Sequence, residues 1–156
     1  MATATPAAVQ FEVSAFRVSI QEIPVSGVTR ISGLRRSIAV VKPSAGGDPA
    51  AAVKPVPGVT TFRPLILWRP KTLDSALDDW AAIASRAVAG RADNLYRELV
   101  IDLLSAAGKP LIRYSVSNCW PSRYDAFQEL LAASNTVQME RLTLQHEGWA
   151  TEVLAD

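Results

Sequence analysis

The side chains best suited to catalysis or metal binding are few in this sequence, and their spacing does not assemble a site. Cys119 and His146 each occur once, so neither a two-histidine nor a two-cysteine metal site can form. Asp78 and Asp79 are neighbours on a predicted helix and point to different sides, which excludes a carboxylate pair for acid–base catalysis. No GxSxG motif marks a nucleophile. The sequence therefore predicts no catalytic, cofactor-binding or metal-binding residue, and we expect that the protein is not an enzyme.

Length and composition favour one domain. The chain has 156 residues, of which 49% are hydrophobic and 20% charged. A single domain over residues 1–156 is the expectation at this length. The apolar content fits two alternatives, a well-packed monomer or a subunit that keeps apolar surface for partners. Cys119 is the sole cysteine, so no intrachain disulfide can form, and we expect a buried thiol.

The sequence contains neither a membrane span nor a secretory signal. No apolar run approaches the ~20 residues that a membrane helix needs. No basic residue precedes Arg17, so the positive region of a signal peptide is missing. We therefore expect a subunit that is made in the cytoplasm and does not insert into a membrane.

Charge is distributed unevenly along the chain. Residues 1–71 contain nine Lys and Arg against three Asp and Glu, a net charge of +6. Residues 72–156 contain seven against twelve, a net charge of −5. The two halves either attract each other within one molecule, or align a basic face with an acidic one in a head-to-tail assembly.

Most of the chain has the alternating pattern of half-buried strands. Phe16, Val18 and Ile20 alternate with polar residues, and a bulge is expected near Ser14-Ala15. The last strand candidate changes phase, which predicts a strand with a bulge near Glu140-Arg141 or, as the alternative, a helix. The strand candidates after the first are Val28–Ser32, Ser37–Val41, Val59–Trp68, Leu99–Leu104, Ile112–Val116 and Val137–Leu144.

A hairpin is predicted in the second half of the chain. Its turn lies at Ser105–Pro110, where Gly108 can supply a positive φ. On the return strand Ile112, Tyr114 and Val116 share one face, and Trp120-Pro121 is the expected end. Tyr114 and Trp120 are therefore predicted as aromatic anchors of the core. The next segment, Tyr124–Ala133, fits either a short helix or a strand and turn.

One helix is predicted, over Thr72–Ala89. Thr72 is a suitable N-cap, and Gly90 a suitable C-cap. Leu77 and Trp80 are the predicted core anchors of this helix. The apolar stripe at helical spacing consists of Leu73, Leu77, Trp80, Ala84 and Val88.

A long segment rich in Pro, Ala and Gly occupies residues 42–58. It contains four prolines and three glycines, which predict a loop rather than a helix or strand. Loops of this length are usually functional or disordered. We consider both a surface excursion and a loop held by a neighbouring subunit. The candidate subunit-contact residues are Ser44, Gly46, Gly47, Asp48 and Pro49.

Several short motifs follow one another in a recognisable order. Ile31–Leu34 ends the first strand region, Leu65–Arg69 is a leucine-and-basic segment, and Trp80 lies on the helix. Asn118-Cys119-Trp120-Pro121 follows the hairpin, and His146-Glu147-Gly148 follows the last strand candidate. This order resembles the tail tube protein family of contractile phages and related contractile injection systems. The strand before His146 carries the matching Asn135, Val137, Met139 and Glu140.

The resemblance implies a mainly β (α+β) fold, a β-sandwich or barrel with one packed helix. It implies six copies in a ring with a continuous inner β-barrel, and rings stacked into a tube inside a contractile sheath. Partners would be further copies, sheath proteins, and baseplate or hub proteins, with DNA or protein as cargo in the lumen of a phage tail or injection particle. The 42–58 loop would contact the next ring.

The chain also departs from the family pattern. The loop is rich in Pro and Ala where the family often has acidic, Gly-rich sequence, and Pro70 stands where a Gly is usual. These departures leave open a specialised subunit near the baseplate, one that initiates or terminates the tube. Two further alternatives are a monomeric ligand-binding β-barrel and a capsid decoration protein.

Overall fold

Strands dominate the described part of the chain, and one helix packs against them. The computed structural model describes residues 15–43, 54–133 and 135–154. The prediction of a mainly β fold with one packed helix is confirmed. The elements are β1 (Ala15–Ile20), β2 (Ile23–Val25), β3 (Arg30–Ile31), β4 (Arg36–Val41), β5 (Val56–Phe62), β6 (Leu65–Pro70), α1 (Ala76–Arg86), β7 (Arg97–Leu104), β8 (Pro110–Asp125), β9 (Met139–Gln145) and β10 (Trp149–Val153).

The strands form two antiparallel sheets that share the long strand β8, and a separate hairpin. Sheet A has the order β2-β1-β7-β8-β10, and sheet B has the order β3-β6-β9-β8. β8 pairs with β7 and β10 over its first part, and with β9 from Trp120 to Asp125. The hairpin of β4 and β5 pairs with neither sheet.

β8 changes phase where it passes from one sheet to the other. Asn118 has φ +51°, and the pairing with β7 shifts register there. As a result, Val116 and Cys119 both point into the core although they are three residues apart. The same shift turns Trp120 outward, so the prediction that Trp120 anchors the core is wrong; its side chain is 37% exposed.

The predicted end of this strand at Trp120-Pro121 is also wrong. β8 runs on to Asp125, and its pairing with β9 shifts register at Pro121. Beyond Cys119 β8 no longer pairs with β7, so this stretch is a strand edge on one side. Proline lacks an N–H, and such an edge tolerates it.

The core lies between the two sheets and below α1. Leu77 and Trp80 are buried there, and Tyr114, which is partly buried, packs against the core cluster from sheet A. The Trp80 indole N–H donates to the carbonyl of Leu95 at 2.7 Å, so the buried polar atom is satisfied. The buried core residues are Val18, Ile20, Leu65, Leu67, Leu77, Trp80, Leu99, Ile101, Val116, Cys119, Leu142 and Leu144.

The helix is shorter than predicted at both ends. It begins at Ala76 rather than Thr72, because Asp74 Oδ1 accepts the backbone N–H of Ala76 at 3.0 Å and closes a turn before it. Leu73 precedes the helix and is fully exposed, and Val88, which follows it, is also exposed. Ala87, not Gly90, is the C-cap.

The strand predicted over Val59–Trp68 is two strands. β5 ends at Phe62 and β6 begins at Leu65, since Pro64 cannot continue a ladder. Val56–Gly58, predicted as part of the loop, belongs to β5. The bulge predicted near Ser14-Ala15 falls at the boundary of the described residues, and Tyr124–Ala133 contains the end of β8 followed by turns.

The bulge predicted near Glu140-Arg141 is absent from β9. This strand pairs regularly with β6, from Leu65 opposite Leu144 to Pro70 opposite Met139. Glu140, Leu142 and Leu144 all point into the core. The apparent phase change arose because Val137 lies before the strand and is exposed.

Candidate subunit interface

Sheet A has two free edges within the described residues. β2 pairs only with β1, and β10 pairs only with β8. Apart from Trp149, every residue of β10 is exposed. The outer N–H and C=O groups of such strands are templates for pairing with another chain.

The hairpin of β4 and β5, which we call the arm, exposes apolar side chains. All six residues of β4 are exposed, and Val40 and Val59 are 68% and 73% exposed. Gly58 lets the two strands approach, because a Cβ there would lie 2.6 Å from Cγ2 of Val41. A two-stranded hairpin is marginally stable by itself, so this arm gains from a surface that covers it.

The base of the arm is fastened to the turn between β9 and β10. His146 Nε2 lies 3.0 Å from the carbonyl oxygen of Arg63, and Nδ1 accepts the N–H of Gly148 at 3.1 Å. The rings of Phe62 and Trp149 lie 5.5 Å and 6.2 Å from the His146 ring. The turn between β9 and β10 thus has a structural role, which is to hold the arm.

Gly148 completes this fastening. It has φ +113°, and a Cβ there would lie 3.0 Å from Cζ of Phe62. Only glycine adopts that backbone conformation without strain while leaving room for the ring. The His146-Glu147-Gly148 motif is therefore a structural turn under the arm.

A buried ion cluster joins β6, β9 and β8 of sheet B to the segment before the helix. Arg69 Nε donates to Glu140 Oε1 at 2.5 Å, and both side chains are 1% exposed. The remaining Arg69 nitrogens donate to the carboxylate and the backbone carbonyl of Asp74, both at 3.0 Å. Tyr124 donates to Glu140 Oε2 at 2.6 Å, and Lys71 donates to the Tyr124 hydroxyl at 3.0 Å.

This cluster shifts the pKa values of Lys71, Tyr124 and Asp74. The hydrogen bond to Tyr124 raises the pKa of Lys71. Burial, followed by the hydrogen bond to Glu140, raises the pKa of Tyr124. Hydrogen bonds from Ala76 and Arg69 lower the pKa of Asp74. The cluster is closed on itself and fixes the path from β6 to α1.

The outer face of sheet A is polar and carries a second ion cluster. Asp102 accepts from Arg113 at 2.8 and 3.2 Å and from Arg17 at 3.1 Å. The hydrogen bond from Arg113, and then that from Arg17, lowers the pKa of Asp102 against the opposing effect of burial. Arg17 belongs to the basic half of the chain and Asp102 to the acidic half. Part of the charge difference between the two halves is therefore compensated by an ion pair within one molecule. A shallow cleft of about 870 Å³ lies on this face.

The predicted contact residues lie outside the part of the chain that the structure describes. They are Ser44, Gly46, Gly47, Asp48 and Pro49. Within the described ranges, no group of three or more His, Cys, Asp or Glu could hold a metal ion. No helix among the described residues combines the length and apolarity needed to cross a membrane.

Free sheet edges and an exposed apolar arm are features of a protein built for assembly. The family of the T4-like virus tail tube protein gp19 matches residues 12–150, and the chain belongs to this family. The protein is therefore a structural subunit of a tail tube, as the order of its motifs predicted.

Several solved structures share the fold. A chain of the PVC sheath-tube complex, an extracellular contractile injection system in the extended state, is 20% identical; it covers 98% of this chain and 100% of its own, with a TM-score of 0.78. A chain of the anti-feeding prophage cap is 21% identical, with 97% of each chain covered and a TM-score of 0.78. Hcp1 from Flavobacterium johnsoniae is 9% identical, covering 88% and 94%, with a TM-score of 0.53. No curated protein sequence matches the chain.

Proposed function

We propose that six copies of this chain close into a ring, and that the rings stack into the inner tube of a contractile tail or injection system. Sheath contraction would drive the tube forward, and the lumen would conduct DNA or protein. Sheath and baseplate or hub proteins are the proposed partners. Membership of the tail tube family supports a mechanical role without catalysis. The two free edges of sheet A are the observation that carries the proposal.

Ring closure needs a contact between two different surfaces of one subunit. Edge β2 of one copy and edge β10 of the next can meet head to tail, which joins the A sheets side by side. Such pairing satisfies the backbone groups that both edges leave open. When the rotation from one copy to the next adds up to a full turn, the A sheets form one continuous barrel.

The polar outer face of sheet A then lines the lumen. Its Arg17, Asp102 and Arg113 are tied together in ion pairs, which presents a hydrated wall. Its other side packs on the core, so the apolar residues stay within the wall of the tube. A hydrophilic lining suits the passage of DNA or folded protein.

The arm makes the contact between rings. Its exposed apolar side chains lie on both strands, and it extends from the fastening at His146. Burying about 100 Å² of such surface contributes on the order of 2.5 kcal/mol. The arm shares Val56–Gly58 with the 42–58 segment that was expected to contact the next ring.

Electron microscopy of the purified protein tests both contacts. The wild-type chain should form rings and tubes. The double variant Val40→Lys, Val59→Lys should form rings that no longer stack, because lysine opposes burial of the arm. The control variant Leu73→Lys changes a fully exposed apolar residue outside the arm and should still form tubes. A wild-type protein that stays monomeric at high concentration would refute the ring, and normal tubes from the double variant would refute the role of the arm.

A further inference from the structure

One face of the molecule carries five arginines and a single carboxylate. We call the outer side of sheet B, together with the segments after β3 and before β6, the arginine face. Its arginines are Arg30, Arg35, Arg63, Arg123 and Arg141. Arg30, Trp68, Arg141 and Asp125 form a row of directly paired residues across four strands. Asp125 is bound by Arg123 at 3.3 Å and by Arg141 at 2.8 Å.

The other three arginines have no carboxylate partner among the described residues. Arg30 lies over the Trp68 ring, with Cζ 4.3 Å from its centroid. Arg35 and Arg63 are exposed and are joined only through their backbones, at 3.0 Å. Four of the five arginines line one cleft of about 430 Å³, with Ser32 and Thr143 in its floor. The result is a concave surface with a large excess of positive charge.

We propose that the arginine face binds a carboxylate-rich peptide segment of another protein. Guanidinium groups are well suited to pair with carboxylates, and the face already holds one: each oxygen of Asp125 accepts from the Nε of a different arginine, Arg123 or Arg141. Arg35 and Arg63 line the same cleft and, without a carboxylate partner among the described residues, have donors available for a ligand.

A nucleic acid fits this face less well. Sequence-independent binding of single strands combines a basic groove with open aromatic rings on which bases stack. The Trp68 ring is already covered by the guanidinium of Arg30. The cleft is also small, at about 430 Å³.

The place of this face in the tube identifies the kind of partner. If sheet A lines the lumen, sheet B lies on the far side of the core and faces outward. The acidic segment then belongs to a protein that surrounds the tube, and an electrostatic contact would let that protein slide or detach without breaking the wall. This step rests on the proposed tube, whereas binding to the arginine face can be measured on the purified chain alone.

The test measures binding of a fluorescein-labelled octaglutamate peptide by fluorescence anisotropy. The wild-type protein should bind it at low salt and release it at high salt. The double variant Arg35→Glu, Arg63→Glu should weaken binding by at least about tenfold. The variant Arg86→Glu, Arg91→Glu makes the same charge change on exposed residues at the end of α1 and should bind as the wild type does. Circular dichroism should show that both variants are folded.

Two results would overturn the proposal. One is equal weakening in both charge-reversal variants, which would mean that net charge alone attracts the peptide. The other is tighter binding of a labelled oligothymidylate of equal charge, lost in the Arg35, Arg63 variant, which would make this a nucleic-acid surface. A variant that loses peptide binding but still forms tubes would leave the ring intact. A variant that loses tubes but still binds the peptide would leave the peptide site intact. The two proposals can therefore fail independently.

Discussion

Arg69 and Glu140 lie directly opposite each other on neighbouring strands and form a salt bridge inside the molecule. β6 and β9 pair at these two positions, the Nε–Oε1 distance is 2.5 Å, and each side chain is 1% exposed. The remaining polar atoms of the pair are bound by Asp74 and Tyr124. Removing charges from water is costly, and only such complete pairing compensates for it.

The first prediction is that removing one partner of this pair strongly destabilises the protein. The variant Glu140→Ala leaves the Arg69 guanidinium buried without its main partner and should lower the free energy of unfolding by about 3–5 kcal/mol. The double variant Arg69→Met, Glu140→Leu removes both charges and should recover most of that loss. Urea unfolding followed by tryptophan fluorescence measures both.

An exposed ion pair provides the control for this prediction. Arg123 lies 3.3 Å from Asp125, and its side chain is 63% exposed. The variant Arg123→Ala should therefore cost less than about 1 kcal/mol. If Glu140→Ala cost no more than Arg123→Ala, the buried pair would not have the energetic role that its burial indicates.

The second prediction concerns acid pH. The pKa of Asp102 is lowered, chiefly by Arg113. Its carboxylate therefore contributes stability that is fully present above the unfolded pKa of about 3.9 and is lost as the pH falls through the lower folded value. The variant Asp102→Asn should be less stable than the wild type near neutral pH, and the difference should shrink as the pH approaches about 3.

Urea midpoints across this pH range measure the effect of Asp102. Asp93→Asn is a suitable control, because Asp93 is exposed and has no ion pair among the described residues. A constant difference between Asp102→Asn and the wild type from neutral to acid pH would show that the Asp102 charge does not stabilise the fold.

Much of the fold could be predicted because the alternation of apolar and polar residues along a strand indicates which side chains are buried. In β1, Val18 and Ile20 are buried as their spacing predicts, and in β7 so are Leu99 and Ile101. The phase of β8 could not be predicted, since the register shift at Asn118 depends on which strands pair with it. When pairing with neighbouring strands decides which side chains of a strand face the core, the local sequence pattern does not reveal it.

The sequence did contain an indication that Arg69 and Glu140 are buried. Arg69 is in phase with Leu65 and Leu67, and Glu140 is in phase with Leu142 and Leu144. An arginine and a glutamate, each continuing an apolar face, indicate a buried pair. Their 71-residue separation hides which residues pair until the strands are aligned. The arginine face was missed for the same reason, because its members come from β3 to β9.

The third prediction is that Cys119 is chemically inert in the folded protein. Burial raises the pKa of its thiol to about 12, so almost no thiolate is present at neutral pH. Iodoacetamide should leave Cys119 unmodified in native protein and alkylate it in urea, as judged by intact mass. Rapid native alkylation at a rate equal to that in urea would contradict the buried position of Cys119 beside Leu99 and Val116.

The fourth prediction is that His146 holds the arm through two hydrogen bonds. Because Nδ1 accepts the Gly148 N–H, the ring proton lies on Nε2 and is donated to the carbonyl of Arg63. The variant His146→Phe keeps a ring against Phe62 and Trp149 but loses both bonds, which should cost about 1–3 kcal/mol. Amide hydrogen exchange should accelerate at Gly148, while the Leu154 amide, bonded to Leu111 at the other end of β10, keeps its wild-type rate. Unchanged exchange at Gly148 would mean that the aromatic contacts alone hold the arm, since the two hydrogen bonds would then contribute nothing measurable.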